Sequence, residues 1–263
     1  MKKAFLPGIV LSVLAAGPAM STDLPLRSVY KAPPPPSVWF DWSGFYVGGH
    51  VGYGWGDADI AEFALSYKKV LLPARSISAE GFLGGVQGGW NYQFGPFVLG
   101  AELEFSWSDI KGDVTSAIVA GKGQGQGAGS TSLSSNATWI STAAARFGYA
   151  WDGLLVYGKI GAAFAQFDYD NNITFTVGRN TTVGNASASE TRAGWIVGTG
   201  LEWAFASDWS AKAEYNYMDF GSRKVDFASF GGGPVSLDID QRISVIKAGV
   251  NYHFGNNVVV AKY

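Results

Sequence analysis

Eight ionisable side chains stand out for the company they keep. Glu102, Glu104, Arg146, Lys159, Glu202, Lys212, Glu214 and Lys247 lie in stretches otherwise built from glycine, alanine and large apolar residues. Glu102 and Glu104 alternate with Leu103 and Phe105, and Lys212 and Glu214 alternate with Ala213 and Tyr215. Period two is the spacing of a strand, whose successive side chains point to opposite faces. Four acids and four bases on the same face suggest mutual pairing rather than catalysis. His50 and His253 share that face, and a histidine beside a carboxylate is the material of an acid–base pair or an iron ligand. No nucleophile elbow, metal-spaced cluster or carboxylate pair in a defined cleft accompanies them. The chain is therefore not expected to be an enzyme or to hold a metal or cofactor. The run Gly121-Lys122-Gly123-Gln124-Gly125-Gln126-Gly127 lacks the Gly-Lys-Ser/Thr ending of a phosphate loop and reads as a surface loop.

The elements that must position these charges are clearest around Gly95-Pro96. Before that turn one face carries Phe82, Gly84, Val86, Gly88, Trp90, Tyr92 and Phe94, and the other Leu83, Gly85, Gln87, Gly89, Asn91 and Gln93. After it, Phe97, Leu99, Ala101, Leu103, Phe105 and Trp107 oppose Val98, Gly100, Glu102, Glu104 and Ser106. The crowded apolar face is too uniform for a shared core, and the opposite face is too small and charged for a wetted surface. A hairpin turned inside out satisfies both, with lipid against the apolar face and a narrow polar lumen on the other.

Composition agrees. The chain has 263 residues, 36 of them glycine, with 15% aromatic and only 15% charged residues and no cysteine. Globular domains carry roughly a quarter charged residues, yet no internal stretch has the roughly 20 apolar residues of a membrane helix. Residues 1–21 read as a signal peptide: Lys2 and Lys3, an apolar run over 5–16, and Ala19-Met20-Ser21 at the cleavage site, with Gly17-Pro18-Ala19 as the alternative. Losing Lys2 and Lys3 deepens an acidic balance already set by 19 basic against 21 acidic residues, so nucleic acid is not an expected partner. Residues 22–43, with Pro33-Pro34-Pro35-Pro36, read as an extended periplasmic tether.

Eight alternating stretches follow: 44–55, 82–94, 97–107, 138–151, 154–167, 192–205, 209–220 and 240–254. Their connections go long, short, long, short, long, short, long. The expected fold is an all-β, eight-stranded antiparallel up-and-down transmembrane barrel over 44–254, with 255–263 as a C-terminal extension. An even strand number puts both ends of the barrel on the side of the short turns, Gly95-Pro96, Asp152-Gly153 and Ala206-Ser207-Asp208. Outward aromatics sort into two bands. Trp90, Tyr92, Trp151, Trp203, Trp209, Tyr252 and Phe254 mark the short-turn end, and Trp55, Trp107, Trp139 and Trp195 the other. The lumen of such a barrel is just wide enough for side chains to fill, too narrow for haem at His50. Its charges then make either a paired plug or the lining of a thin water path.

Four segments carry a family resemblance: Trp42-Ser43-Gly44-Phe45-Tyr46-Val47-Gly48-Gly49, Gly88-Gly89-Trp90-Asn91-Tyr92-Gln93, Ala145-Arg146-Phe147-Gly148-Tyr149-Ala150 and Val250-Asn251-Tyr252-His253-Phe254. They resemble the small outer-membrane β-barrel "porin family" of alphaproteobacteria, which includes major surface proteins of rhizobia, brucellae and bartonellae. The resemblance implies an OmpA-type barrel in the outer membrane, with loops extracellular and termini periplasmic. It implies roles in envelope integrity and surface exposure, as a surface antigen, and in some members pore formation or haemin binding. Expected partners are outer-membrane lipid and lipopolysaccharide, the barrel-insertion machinery through a C-terminal aromatic (Phe254 or Tyr263), and host or ligand contacts through loops 56–80, 109–135, 168–191 and 221–237.

Overall fold

The computed structural model describes residues 38–60, 63–65, 70–72, 75–120, 127–227, 235–255 and 258–260. The signal peptide, the proline run, 121–126 of the glycine-rich run and 261–263 lie outside the described residues. The strands are β1 (Val38–Phe40), β2 (Gly44–Ile60), β3 (Phe63–Leu65), β4 (Val70–Leu72), β5 (Arg75–Phe94), β6 (Phe97–Ala120), β7 (Gly127–Trp151), β8 (Leu154–Val177), β9 (Asn180–Ala204), β10 (Trp209–Phe227), β11 (Val235–His253) and β12 (Val258–Val260). Eight of them close an antiparallel barrel in the order β10-β11-β2-β5-β6-β7-β8-β9. β3 pairs with β4, and β1 with β12.

Local chemistry explains the tight turns. Gly95 takes φ 60 and Pro96 follows it, so glycine supplies the left-handed first position and proline the negative φ of the second. Asp152 adopts φ 52 ahead of Gly153, a conformation aspartate tolerates better than most side chains. Along the lower strands the alternation is uninterrupted, with Phe45, Val51, Phe82, Leu103, Ile160 and Leu201 exposed on the outer face. From Phe97 to Trp107 the outward apolar run spans about 34 Å along the strand, which tilt reduces to the height of a bilayer's apolar band.

Two expectations are corrected above that band. First, the long connections are largely strand. The segment 168–191 is the upper part of a β8–β9 hairpin that turns at Gly178-Arg179, with Gly178 at φ 62. β6 and β7 likewise pair through 110–120 and 127–137, and β2, β5, β10 and β11 extend into 56–80 and 221–237. Second, the lumen is not polar throughout. Past the girdle the outward residues turn polar, with Asp57 after Trp55, Glu80 before Phe82, Asp109 after Trp107, Gln166 after Phe164 and Asp219 after Tyr217. The inward ones turn apolar, and Ile77, Ile110, Leu133, Phe167, Phe220, Ile239 and Ile243 form a buried core. The period two continues, but hydrophobicity has changed faces because water has replaced lipid outside.

A bulge helps. On β7, Ala137 opposes Phe167 and Trp139 opposes Gln166, leaving Thr138 as the extra residue. Even-numbered residues from Ile140 to Ala150 are buried below it, whereas Ala137, Ser135 and Leu133 are buried above it. Were Thr138 held in regular alternation instead, Asn136, Ser134 and Ser132 would turn inward in place of Ala137, Ser135 and Leu133.

Candidate functional site

The lumen is filled in three layers. Nearest the short turns, Trp42 is fully buried and Phe40 nearly so, packed with Val98, Ala150, Leu155 and Tyr157. The Phe40 and Trp42 rings meet edge-on at 4.6 Å, and both stand against the imidazole of His253, at 5.3 and 5.6 Å. Gln93 Oε1 accepts the Trp42 backbone N–H at 2.8 Å, anchoring the segment across the mouth. Residues 38–43, assigned to a tether by composition, thus belong to the same folded unit as the barrel.

Above this lid lies the charged layer, which holds all eight of the charges singled out in the sequence. Glu102 and Glu104 come from β6, Arg146 from β7, Lys159 from β8, Glu202 from β9, Lys212 and Glu214 from β10 and Lys247 from β11. All eight are buried. Arg146 reaches Glu202 at 2.6 Å and Glu102 at 3.4 Å. Lys159 touches Glu102, Glu104 and Glu214 at 3.0–3.2 Å, and Lys212 touches the same three at 3.0–3.4 Å. Lys247 closes the ring on Glu104 at 2.7 Å and Glu214 at 3.2 Å. Burying a charge is tolerable only when partners and hydrogen bonds replace its water. Neutral groups complete that replacement. Ser210 and Asn251 each donate to Glu202 at 2.6 Å, and Thr142 donates to Glu104 at 3.0 Å.

Two inward tyrosines, not among the residues picked out by charge, join the layer. Tyr46 donates to Glu102 at 2.8 Å, and Tyr157 donates to Glu214 at 2.5 Å. The Arg146 guanidinium lies 3.9 Å from the centre of the Tyr157 ring. Each tyrosine lies over a glycine. A Cβ on Gly200 would come within 2.6 Å of the Tyr157 ring, and one on Gly89 would strike the Tyr46 hydroxyl. The inward glycines make room for the large residues opposite.

The carboxylates of Glu102, Glu104 and Glu214 bring ligand atoms within 4.8 Å of one another, close enough to hold a cation. Lys159 and Lys212 already point an ammonium at each of the three, so protein cations supply the charge a metal would bring. His50 sits at the edge of the layer, its ring nitrogens 2.6 Å from Gln87 Oε1 and 2.8 Å from Ser106 Oγ. His253 lies 2.9 Å from Ser210 and 3.6 Å from Glu202, linking the lid to the charges. A void between the charged layer and the apolar core, lined by Leu83, Glu104, Ile196 and Lys247, has room for about one water.

The third layer is the apolar core, and it contains a residue that the sequence reading passed over. Arg192 is fully buried near the rings of Phe167 and Tyr169 and donates to the Ile239 carbonyl at 2.9 Å. Its parity matches that of inward Ile196, so following the alternation two steps back, to the first residue of the stretch 192–205, finds it. On the outer face, Trp90, Tyr92, Trp151, Trp203, Trp209, Tyr252 and Phe254 ring the short-turn end. Trp55, Trp107, Trp139 and Trp195 ring the other, and many of these rings touch a neighbour, as Trp209 does Tyr252.

An antiparallel barrel of eight strands, with lipid-compatible residues outside and a charged interior, defines a class: the small integral barrels of bacterial outer membranes. Residues 31–254 match the family model described as an outer membrane protein beta-barrel domain, and the chain belongs to that family. It is an integral outer-membrane protein. Over 257 residues it is 30% identical to a 31 kDa outer-membrane immunogenic protein of Brucella melitensis, covering 96% of each chain. It is 26% identical to a 22 kDa outer membrane protein of Rhizobium leguminosarum bv. viciae, over 81% of this chain and 78% of the relative. These relatives agree with the alphaproteobacterial family whose motifs the sequence resembles. Among solved structures, the outer membrane protein OprG of Pseudomonas aeruginosa aligns with 81% of this chain and 98% of its own, at 12% identity and a TM-score of 0.48.

Proposed function

We propose that this protein is a closed barrel whose work is structural and at the surface. It occupies the outer membrane, supports the envelope and presents its upper hairpins outward, with the short turns and both termini in the periplasm. Lipopolysaccharide packs on its girdles, the insertion machinery reads a C-terminal aromatic, and host or ligand contacts fall on 56–80, 109–135, 168–191 and 221–237. One observation carries the reading: aromatic lid, charge network and apolar core follow one another along the lumen, each layer buried. An ion entering from either end meets a layer of mainly apolar side chains before the charged layer, and in the middle it competes with counter-charges already in contact. The name "immunogenic" carried by the Brucella relative supports the surface role.

The test is conductance of refolded protein in a planar bilayer. The native barrel should conduct poorly. Lys159→Ala, Lys212→Ala and Lys247→Ala together empty volume and leave carboxylates unpaired, so that variant should conduct more and prefer cations. A large, steady native conductance that the triple substitution leaves unchanged would promote the passive diffusion pore instead.

A further inference from the structure

Above the upper girdle the molecule has two strand edges that no described strand covers. The ladder joining β9 to β10 ends at Trp195↔Asp219, while β9 goes on pairing with β8 as far as Asn180↔Val177. The ladder joining β5 to β6 ends at Glu80↔Lys111, while β6 goes on pairing with β7 as far as Ala120↔Gly127. Gly112 and Gly194 still lie against the backbones of Ser78 and Asp219, so residues 113–120 and 180–193 are the two outer edges of one sheet made by β6, β7, β8 and β9, and each directs backbone N–H and C=O groups sideways. Neither edge is guarded along its upper part. Residues 180–189, Asn-Thr-Thr-Val-Gly-Asn-Ala-Ser-Ala-Ser, contain no charge and no proline, Glu190 and Arg192 come only at the lower end, and Asp113 is the single charge in 113–120. Proteins shorten, charge or break such edges because a bare one recruits another strand.

We propose that these edges join neighbouring copies of this chain, residues 113–120 of one molecule pairing with 180–193 of the next. The choice of partner follows from direction and height. β6 runs away from the short turns and β9 runs back towards them, and every copy in a membrane is inserted the same way up. The β6 edge of one upright molecule therefore meets the β9 edge of another in antiparallel sense. Counted upward from the girdle residues Trp107 and Trp195, the β6 edge runs from the sixth to the thirteenth residue and the β9 edge from the second to the fifteenth, so the two overlap in height over the bilayer. Like-on-like pairing of β9 about an axis normal to the membrane would be parallel, which is the weaker ladder. A contact between two different edges does not close on itself in a dimer and grows into a row or a ring.

The chain has no cysteine, which gives disulfide cross-linking in native membranes a clean background. Double variants combine Asp113→Cys or Thr115→Cys on β6 with Asn185→Cys, Ser187→Cys or Ser189→Cys on β9, all exposed positions. Within one molecule the two edges are three strand spacings apart, about 14 Å, beyond the reach of a disulfide. At least one double variant should give a ladder of dimers, trimers and higher species, while its two single variants give none. Ala186→Pro and Ser187→Pro (or Asn185→Pro, where Ser187 carries the cysteine) are then added in turn to that background. Backbone alternation directs one of those N–H groups at β8 and the other sideways, so the sideways proline should abolish the ladder while the barrel keeps the gel mobility of a folded protein. Three outcomes overturn the proposal. One is absence of a ladder from every double variant. The second is dimers from Ser187→Cys alone, or adducts with a different protein. The third is a ladder that survives both prolines.

Discussion

The lower and upper halves of this barrel use the same backbone and opposite chemistry. Below the upper girdle Leu103, Ile160 and Leu201 face out and Glu102, Lys159 and Glu202 face in. Above it Asp57, Glu80 and Asp109 lie on the outer face and Ile77, Ile110 and Ile239 face in. Solvent decides the difference. In lipid no water competes for apolar side chains, so the lower half is held by closed backbone ladders and by charges that find one another inside. In water the hydrophobic effect returns, and the upper half is held as a soluble β-sandwich is, by an apolar core between two sheets.

If that contrast is right, each half should fail in its own way. The largest effect falls on the charged layer. Arg146→Met should cost about 3–5 kcal/mol, because Glu102 and Glu202 lose the guanidinium that bridges them. Lys159→Met should cost clearly less, since Lys212 contacts the same three carboxylates. Denaturant unfolding in lipid vesicles measures both, and equal losses would mean that the network does not share its load.

Rings come next. Phe167→Ala opens a hole in the upper core and should cost about 3–5 kcal/mol. Phe82→Ala exchanges a lipid-facing ring for lipid and loses mainly its edge-on contact with Tyr53, about 0.5–1.5 kcal/mol. A larger loss at Phe82 than at Phe167 would reverse the assignment of the halves.

A charge placed on the outer face sharpens the comparison further. Leu103→Arg puts a guanidinium at mid-membrane and should cost about 2–4 kcal/mol. Thr115→Arg, on the outer face of the same strand but above the girdle, should stay within about 0.5 kcal/mol of native. Folding yield into vesicles reads the two side by side.

The smallest effect appears only at high pH. Tyr169 lies in the upper core, and burial pushes its phenol up to about 12. A value raised from the ordinary figure near 10 means that its stabilisation is complete below about pH 10 and is lost as pH rises towards 12. Tyr169→Phe should lessen alkaline destabilisation in that window. At neutral pH it should cost only the bond to Gln241, about 1 kcal/mol.

Much of this could be read from residue order alone. Period two, the parity of each charge, the turn pairs Gly95-Pro96 and Asp152-Gly153 and the two aromatic bands are local or nearly local properties. They determine which side chains face in and that the strands belong to a membrane barrel. Which acid meets which base was not legible, because Lys247 and Glu104 are brought together by closure of the ring and the stagger of its strands, not by nearness in sequence. The upper core was missed for another reason: a polar stretch such as 168–191 looks like a loop when its outward serines and asparagines outnumber its inward apolar residues. Trp42 shows the limit most plainly. Its place after a proline run marks it as tether, and only the tertiary structure reveals a mouth, bounded by Val98, Ala150 and Leu155 from three different strands, that it can fill. Alternation is written into each strand by backbone geometry, whereas the fit of a side chain into space made by distant strands exists only once the barrel has closed.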